Sequence, residues 1–549
     1  MRGVYWTAQA AWRHALVGLL LLLAASGCGP GGPLRVRLRP DVERPRPGVV
    51  LFLCDGMSVD LVRQGCRAGW LPNIQTHFVE GGTRVRHAVT EFPTITYGVL
   101  TTYATGVSPA RHGITGNQWF DRGARLYRDY GTIEHYRDVN RDFEQPTIYE
   151  LIKPAASASI QSPIKRGLTQ NFANWAVSGT MWFFGEYTAV DKLTATTTER
   201  VARWANGQGR WPALLTCYFP GSDSIAHDFA VDSARYRRAI EHLDYQIGRI
   251  CDWLESQGLL ETTYLVLVSD HGMVPVHADG VIDLITYIRE TLGRNVTDRP
   301  LQDGPFERRQ RYFDRFDTVY VKSAMRWATI HFAGSAGWDS RADPETVRSI
   351  LETPPEGQRI WDLPGIDLVA YAASDREVVL RSPRGSARIV EREGESGLEY
   401  RYVPVPDDVL GYLADPELAA FVASGFHDSH AWLRAAADHA YPDVVPPLVP
   451  LSRCPRVGEV MLFAARGYSF GYEKSGHGGI DRQEVCIPMM FAGPGIEPGG
   501  TIEAARAVDV VPTLMTLLGC DLTEDDTLEG VPLFHPLPLP ASGQDEGEP

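Results

Sequence analysis

Three runs of this chain are apolar from end to end, and each leads into an acid. Val49–Cys54 (VVLFLC) meets Asp55-Gly56, Pro212–Pro220 (PALLTCYFP) is followed by Asp223, and Tyr264–Ser269 (YLVLVS) meets Asp270. A strand with no polar alternation is buried on both faces, which is the habit of parallel sheets. Between the second and third runs, Ser233–Glu255 places Ile240, Leu243, Ile247, Ile250 and Leu254 on one face at helical spacing. Strand, helix and strand in this alternation predict an α/β fold: a mostly parallel central sheet covered on both sides, as a three-layer sandwich. Open sheets of this kind bind ligands beyond the carboxyl ends of their strands. The three acids stand at or just past those ends.

The remaining organisation follows from changes in texture. Residues 49–280 read as the first part of a core, with the aromatic segment Trp175–Tyr187 as a loop that could line a pocket. Residues 281–455 mix short helices with alternating segments such as Glu377–Arg381, Ala387–Glu391 and Leu398–Val403, and read as an inserted α+β cap closed by Pro442–Pro450. The core is expected to resume over 456–535, with strands at Glu459–Ala464 and Val485–Phe491 and a late helix at Asp509–Leu518. The Pro-, Gly- and acid-rich tail 536–549 reads as disordered.

The N-terminus carries an export signal. Arg2 and Arg13 precede the apolar run Ala15–Ala25, which is too short to span a bilayer comfortably. Ala25-Ser26-Gly27-Cys28 resembles a bacterial lipobox, so residues 1–28 predict a lipoprotein signal with Cys28 as the lipidated first mature residue. Residues 29–48 then form a flexible tether. The expected location is the bacterial periplasm or cell surface, with membrane contact only through the lipid. Downstream of Cys28 there is no CxxC, and Cys54, Cys217 and Cys486 lie in apolar runs, where a thiol behaves as a small hydrophobe.

The net charge of −15, without a Lys/Arg block, argues against a nucleic-acid polymer as partner. A small anionic substrate is compatible with it, because a metal pair reverses the field locally.

Four motifs carry chemistry. Asp223-Ser-Ile-Ala-His227 spaces two metal-competent side chains by one helical turn. Asp270-His271-Gly272 closes an apolar strand, where an unpaired charge is costly to bury. His477 lies among Gly476, Gly478 and Gly479, which permit close approach of backbone to a ligand. Thr94 and Thr96 precede a helix ending near Gly106, and a hydroxyl at a helix start sits in positive potential, favourable for an alkoxide or a phosphate. Each motif alone is also met as capping or loop chemistry. Their order along one chain is what gives them weight.

The set resembles the alkaline phosphatase superfamily, in its nucleotide pyrophosphatase/phosphodiesterase branch. Thr105-Gly-Val-Ser-Pro-Ala-Arg-His-Gly-Ile-Thr-Gly-Asn117 is similar to that branch's TG-x-x-P-x-x-HGI-x-x-N signature. The superfamily nucleophile stands ten residues before the glycine of a Thr-Gly pair, so Gly106 selects Thr96 over Thr94. The resemblance implies an alkaline-phosphatase-like fold and two divalent metals, zinc in the first place. Asp55, Thr96, Asp270 and His271 would hold one, and Asp223, His227 and His477 the other. Asn117 would hold a phosphoryl oxygen, as would the backbone N–H of Tyr97, whose ring could form an aromatic wall. The branch usually has Lys before the nucleophile and Phe-Pro-Asn after it; here Ile95 precedes and Tyr97-Gly98 follow. The implied activity is metal-dependent hydrolysis of phosphodiesters or nucleotide pyrophosphates through a phospho-threonine. Alternatives are a phosphomonoesterase or phosphonate hydrolase on the same core, and an inactive surface-binding lipoprotein.

Overall fold

The structure, a computed structural model, describes residues 48–535 apart from 133, 174, 210, 299, 396, 521 and 523–526. The export signal with Cys28, the tether up to Pro47 and the tail from Pro536 lie outside the described residues.

The central sheet has eight strands: β1 (Val49–Cys54), β2 (Gly82–Val89), β3 (Ser157–Ile160), β4 (Gln170–Phe172), β5 (Leu214–Phe219), β6 (Tyr264–Ser269), β7 (Met489–Ala492) and β8 (Gly500–Arg506). Side by side they run β8-β2-β7-β6-β1-β5-β3-β4. Only β7 is antiparallel to its neighbours β2 and β6. The apolar runs are the middle of this sheet. Every residue of β1, β5 and β6 is buried. Cys54 pairs with Phe219 on one side and Ser269 on the other, so the three strands end level. The residues that follow therefore emerge at one edge.

Alternate side chains of β1 serve two separate cores. Val49, Leu51 and Leu53 pack on the side of α2 (Thr96–Thr105) and α6 (Val510–Leu517), against Val99, Leu100, Val510 and Leu514. Val50, Phe52 and Cys54 pack on the side of α1 (Val59–Ala68), α3 (Tyr187–Gly207) and α5 (Ala234–Ser256). Ile240, Leu243, Ile247, Ile250 and Leu254 of α5 are all at most 2% exposed, as their spacing requires. Full burial of one such side chain contributes about 1.5–3 kcal/mol. Two faces packed in this way make the fold three-layered.

A second, ten-stranded sheet lies in the expected cap region, built largely of antiparallel hairpins. Glu377–Ser382, Gly385–Gly394 and Gly397–Val405 are successive neighbours in it. Three expectations change here. Val460–Ala464 does not return to the central sheet but pairs antiparallel with both Trp327–Gly334 and Ile366–Ser374. An apolar strand fits the middle of any sheet, and composition does not say which. Val485–Phe491 is not one strand. The Asp481 side chain accepts from Gln483 N–H (2.9 Å) and starts a helical turn, Arg482–Val485; Pro488, lacking an N–H, delays β7 to Met489. The aromatic segment Trp175–Tyr187, expected as a loop, is helical over Trp175–Phe183. The seven cysteines from Cys54 to Cys520 are free.

Candidate metal centre

Asp55 directly follows β1, and its N–H donates to Phe219 O (3.0 Å). Gly56 makes the turn with φ +63°, and a Cβ there would stand 2.8 Å from Asp223 Cα, so only glycine fits. Gly56 N–H in turn donates to Asp270 Oδ1 (3.0 Å), tying the ends of β1 and β6 together. α4 (Gly221–Phe229) begins just past β5, with its Gly221 N–H held by Asp191 Oδ1 (3.0 Å). One turn of α4 brings His227 Nε2 within 3.2 Å of Asp223 Oδ1. His477 arrives from the far end of the chain, with its Nε2 3.7 Å from the same oxygen.

His271 Nε2 is the hub of the other half. It lies 3.2 Å from Thr96 Oγ1, 3.3 Å from Asp270 Oδ2 and 3.5 Å from Asp55 Oδ1. Thr96 is the first residue of α2, after the extended Ile95. The two halves share a wall, since the His271 and His477 rings stack at 3.5 Å and 10°. Asp223 lies between them, within ligand reach of Asp55 and His271 as well as of His227 and His477.

The hydrogen bonds behind the site turn each donor inward. Nδ1 of His227 donates to Ser475 O (2.8 Å), that of His271 to Gly272 O (3.1 Å) and that of His477 to Thr94 O (2.8 Å). Each bond fixes the tautomer that leaves Nε2 as a free lone pair, the usual arrangement behind a metal-ligating imidazole. The carboxylates of Asp55 and Asp270 each have one committed and one uncommitted oxygen. Asp55 Oδ2 accepts from Tyr218 OH and Asp270 Oδ1 from two backbone N–H groups. Asp55 Oδ1, Asp223 Oδ1 and Asp270 Oδ2 are buried without a hydrogen-bond partner.

Such oxygens are costly to bury unless a cation compensates them. The strain appears in the acidities. Burial, then the neighbouring Asp270 and Asp223 charges, push Asp55 well above the carboxylate range. Burial lowers His227, but Asp223 outweighs it and raises the imidazole to about 9. Burial likewise raises Asp223, but His227 outweighs it and the net shift is downward. Burial, then the adjacent His271, bring His477 well below its ordinary value. Carboxylate oxygens and imidazole nitrogens converging in this way, with a hydroxyl at the rim, are a donor set that fits divalent zinc.

Asn117 stands beside this centre, its Oδ1 accepting from Tyr97 N–H (3.3 Å). That N–H, expected to face a phosphoryl oxygen, instead orients Asn117 and leaves the amide's NH₂ end as the donor. The Tyr97 ring leans on Tyr130, 4.8 Å between centroids. His112 of the same signature accepts from Ile114 N–H (3.0 Å) and reaches Thr102 (3.2 Å), bracing the loop against α2; burial brings it down to about 3.

Sequence reasoning missed two residues. Tyr218 looked like one more member of an apolar strand, and nothing in its context marks its hydroxyl. Thr94, set aside as nucleophile, holds the His477 loop: its Oγ1 accepts from Gly478 N–H (2.9 Å) and its carbonyl receives His477.

Among curated proteins, the chain is 24% identical over 241 residues to an uncharacterised pyrophosphatase/phosphodiesterase of Schizosaccharomyces pombe, covering 43% of this chain and 46% of that one. It is 24% identical over 268 residues to venom phosphodiesterase 2 of Crotalus adamanteus (47% and 30% covered). It is 25% identical over 272 residues to the bis(5'-adenosyl)-triphosphatase ENPP4 of Bos taurus (48% and 55%). The chain thus spans about half or less of the length of these relatives. Murine ectonucleotide pyrophosphatase/phosphodiesterase 5 superposes with TM-score 0.54 at 16% identity, covering 86% of this chain and 96% of that one. An inactive threonine-to-alanine form of that protein, solved with AMP, superposes at 0.53 and 15% identity, with 87% and 96% covered. These neighbours carry alkaline-phosphatase-like folds, and the mostly parallel three-layer sandwich is of that class. The sequence model of the type I phosphodiesterase / nucleotide pyrophosphatase family matches residues 49–353, more than half of the chain, and the chain belongs to that family.

Proposed function

We propose that the chain hydrolyses phosphodiester or pyrophosphate bonds of small phosphorylated molecules, with Thr96 as nucleophile. One observation carries this reading: the Thr96 hydroxyl stands at a helix start, beside three unpartnered carboxylate oxygens and three imidazoles turned lone pair inward. Asp55, Thr96, Asp270 and His271 would hold one divalent metal, and Asp223, His227 and His477 a second, zinc in the first place. Bound there, such metals supply Lewis-acid charge to a hydroxyl and to phosphoryl oxygens.

The chain's own residues do the rest. Thr96 Oγ1 gives its proton to water and, as alkoxide, attacks phosphorus in line; the bond to the leaving oxygen breaks, and that oxygen takes a proton from water. Hydrolysis of phospho-Thr96 then restores the hydroxyl. The Asn117 NH₂ group donates to one phosphoryl oxygen, held ready by Tyr97 N–H. A neutral donor suits a diester, with its single charge, better than a monoester. The Tyr97 ring, backed by Tyr130, forms an aromatic wall beside the scissile group. Nucleotides are favoured because the bovine relative is named a bis(5'-adenosyl)-triphosphatase and the murine neighbour is solved with AMP.

A hydrolysis panel of nucleotide diesters, dinucleoside polyphosphates, glycerophosphodiesters and monoesters tests the substrate class. A higher rate on p-nitrophenyl phosphate than on bis-(p-nitrophenyl) phosphate would overturn the diesterase reading. Thr96→Ala is expected to lose at least about 10⁴-fold in kcat while keeping its metal; retained turnover sinks the nucleophile assignment.

We propose also that the chain is exported and lipidated at Cys28, on the strength of the sequence Ala25-Ser26-Gly27-Cys28. No helix among the described residues is long and apolar enough to cross a membrane. Labelled palmitate should enter the wild-type chain and not Cys28→Ser.

A further inference from the structure

Arg326 and Glu484 form a buried ion pair, Nε to Oε1 at 2.9 Å, with side chains 2% and 0% exposed. Neither belongs to a sequence motif, and no step above uses them. Their other bonds, however, run to the two halves of the metal centre. Arg326 N–H donates to the carbonyl of His477 (3.0 Å). Glu484 Oε1 also accepts from Gly479 N–H (2.9 Å), two residues further along the same loop. The backbone carbonyl of Glu484 accepts from Gly272 N–H (2.8 Å), next to His271. The rest of the Arg326 fork reaches Ala465 O (2.7 Å) and Tyr468 O (3.0 Å).

Arg326 lies in the turn 322–327, between the cap strands Thr318–Val321 and Trp327–Gly334. The same turn receives Asn117 N–H at Ser323 O (3.2 Å). It also presses on Gly478, which has φ +108° and whose Cβ would come 2.6 Å from that of Ala324. One turn of the cap thus touches the phosphoryl donor and one ligand loop, and through Glu484 it reaches the other.

We propose that Arg326 and Glu484 are positioning residues that hold His271 and His477 face to face, making the cap turn 322–327 part of the frame of the metal centre. The proposal rests on the reading of that centre as metal-binding. A planar guanidinium suits the task because its fork serves a carboxylate and two carbonyls at once, which an ammonium does not reproduce.

The test uses the full chain loaded with zinc, measuring zinc retention against a competing chelator, together with thermal unfolding. Glu484→Gln and Arg326→Lys are expected to lose about 10–100-fold in zinc retention, the usual cost of disturbing groups behind a ligand. Gly479→Ala, whose Cβ would stand 2.8 Å from Glu484 Oε2, should weaken retention in the same direction without removing a charge, and it serves if the charge variants fail to fold. Arg122→Met is the control. It breaks the buried pair with Glu459, which sits against Phe332 of the second sheet, and should lower the melting temperature while leaving zinc retention unchanged. Folded variants at Arg326, Glu484 and Gly479 that keep zinc as tightly as the wild type would overturn the proposal. So would a loss of zinc just as large in Arg122→Met. A wild-type chain that takes up no divalent metal removes the metal reading itself.

Discussion

The two sheets treat charge in opposite ways. In the second sheet, acids meet bases across or beside the strands: Arg388 with Glu377 (3.3 Å), Arg376 with Glu393 (2.9 Å), Arg392 with Glu399 (2.6 Å) and Arg453 with Glu391 (2.6 Å). Each pair settles its own charge, three of them in contact with water and the fourth with the Glu391 carboxylate buried under Arg453. At the carboxyl edge of the central sheet, Asp55, Asp223 and Asp270 each bury an oxygen with no partner. Such oxygens are costly to keep charged unless a cation compensates them. The proposed function uses the place where the electrostatics are left open, and the second sheet pairs its charges internally.

Substitutions on the two sides sharpen the contrast. After Thr96→Ala, the largest expected effect is that of Asp55→Asn. It removes charge at nearly constant volume and should reduce metal stoichiometry by one and activity by more than about 100-fold, beyond what groups behind a ligand cost; elemental analysis and kinetics on one preparation would show both. Tyr218→Phe deletes only the donor to Asp55 Oδ2. About tenfold weaker zinc retention is expected, read by chelator competition, and wild-type retention would mean that the hydroxyl is mere packing.

Asp191 offers a pH test. Burial raises it to about 7 from an ordinary 3.8, against the lowering effect of Gly221 N–H. The folded chain thus holds this proton more tightly than the unfolded chain does. Its contribution to stability is complete below about pH 4 and is lost as pH rises through about 7. The fall in melting temperature between about pH 5 and pH 8 should therefore be smaller in Asp191→Asn. An unchanged slope would show that the group is ionised in the fold.

The smallest effect belongs to the cap. Arg388→Ala breaks a pair whose side chains are 47% and 26% exposed. Stability should move by less than about 0.5 kcal/mol, with activity unchanged. A large loss in either would erase the contrast between the sheets.

Much of this was legible in the residues themselves, for identifiable reasons. Val49–Cys54 and Tyr264–Ser269 are found as strands of those bounds, because continuous apolarity has few other uses. Asp223 and His227 meet as their spacing predicts, since a helix fixes i and i+4 locally. Glu459–Ala464 reads as a strand of the core, yet Val460–Ala464 pairs in the second sheet, because strand pairing is non-local. Thr94 and Thr96 look alike in sequence, and only the fold gives one the back of His477 and the other a place beside His271.

Sequence alone thus determined the strand ends, the helix spacings and the chemical types gathered in one family signature, all of which depend on neighbours along the chain. Tertiary structure alone decided which oxygens are left unpaired, which imidazole nitrogen faces inward, and that Arg326 and Glu484 tie the loops of His477 and His271 together. Those outcomes depend on groups hundreds of residues apart, brought to hydrogen-bond distance by packing that no local pattern encodes.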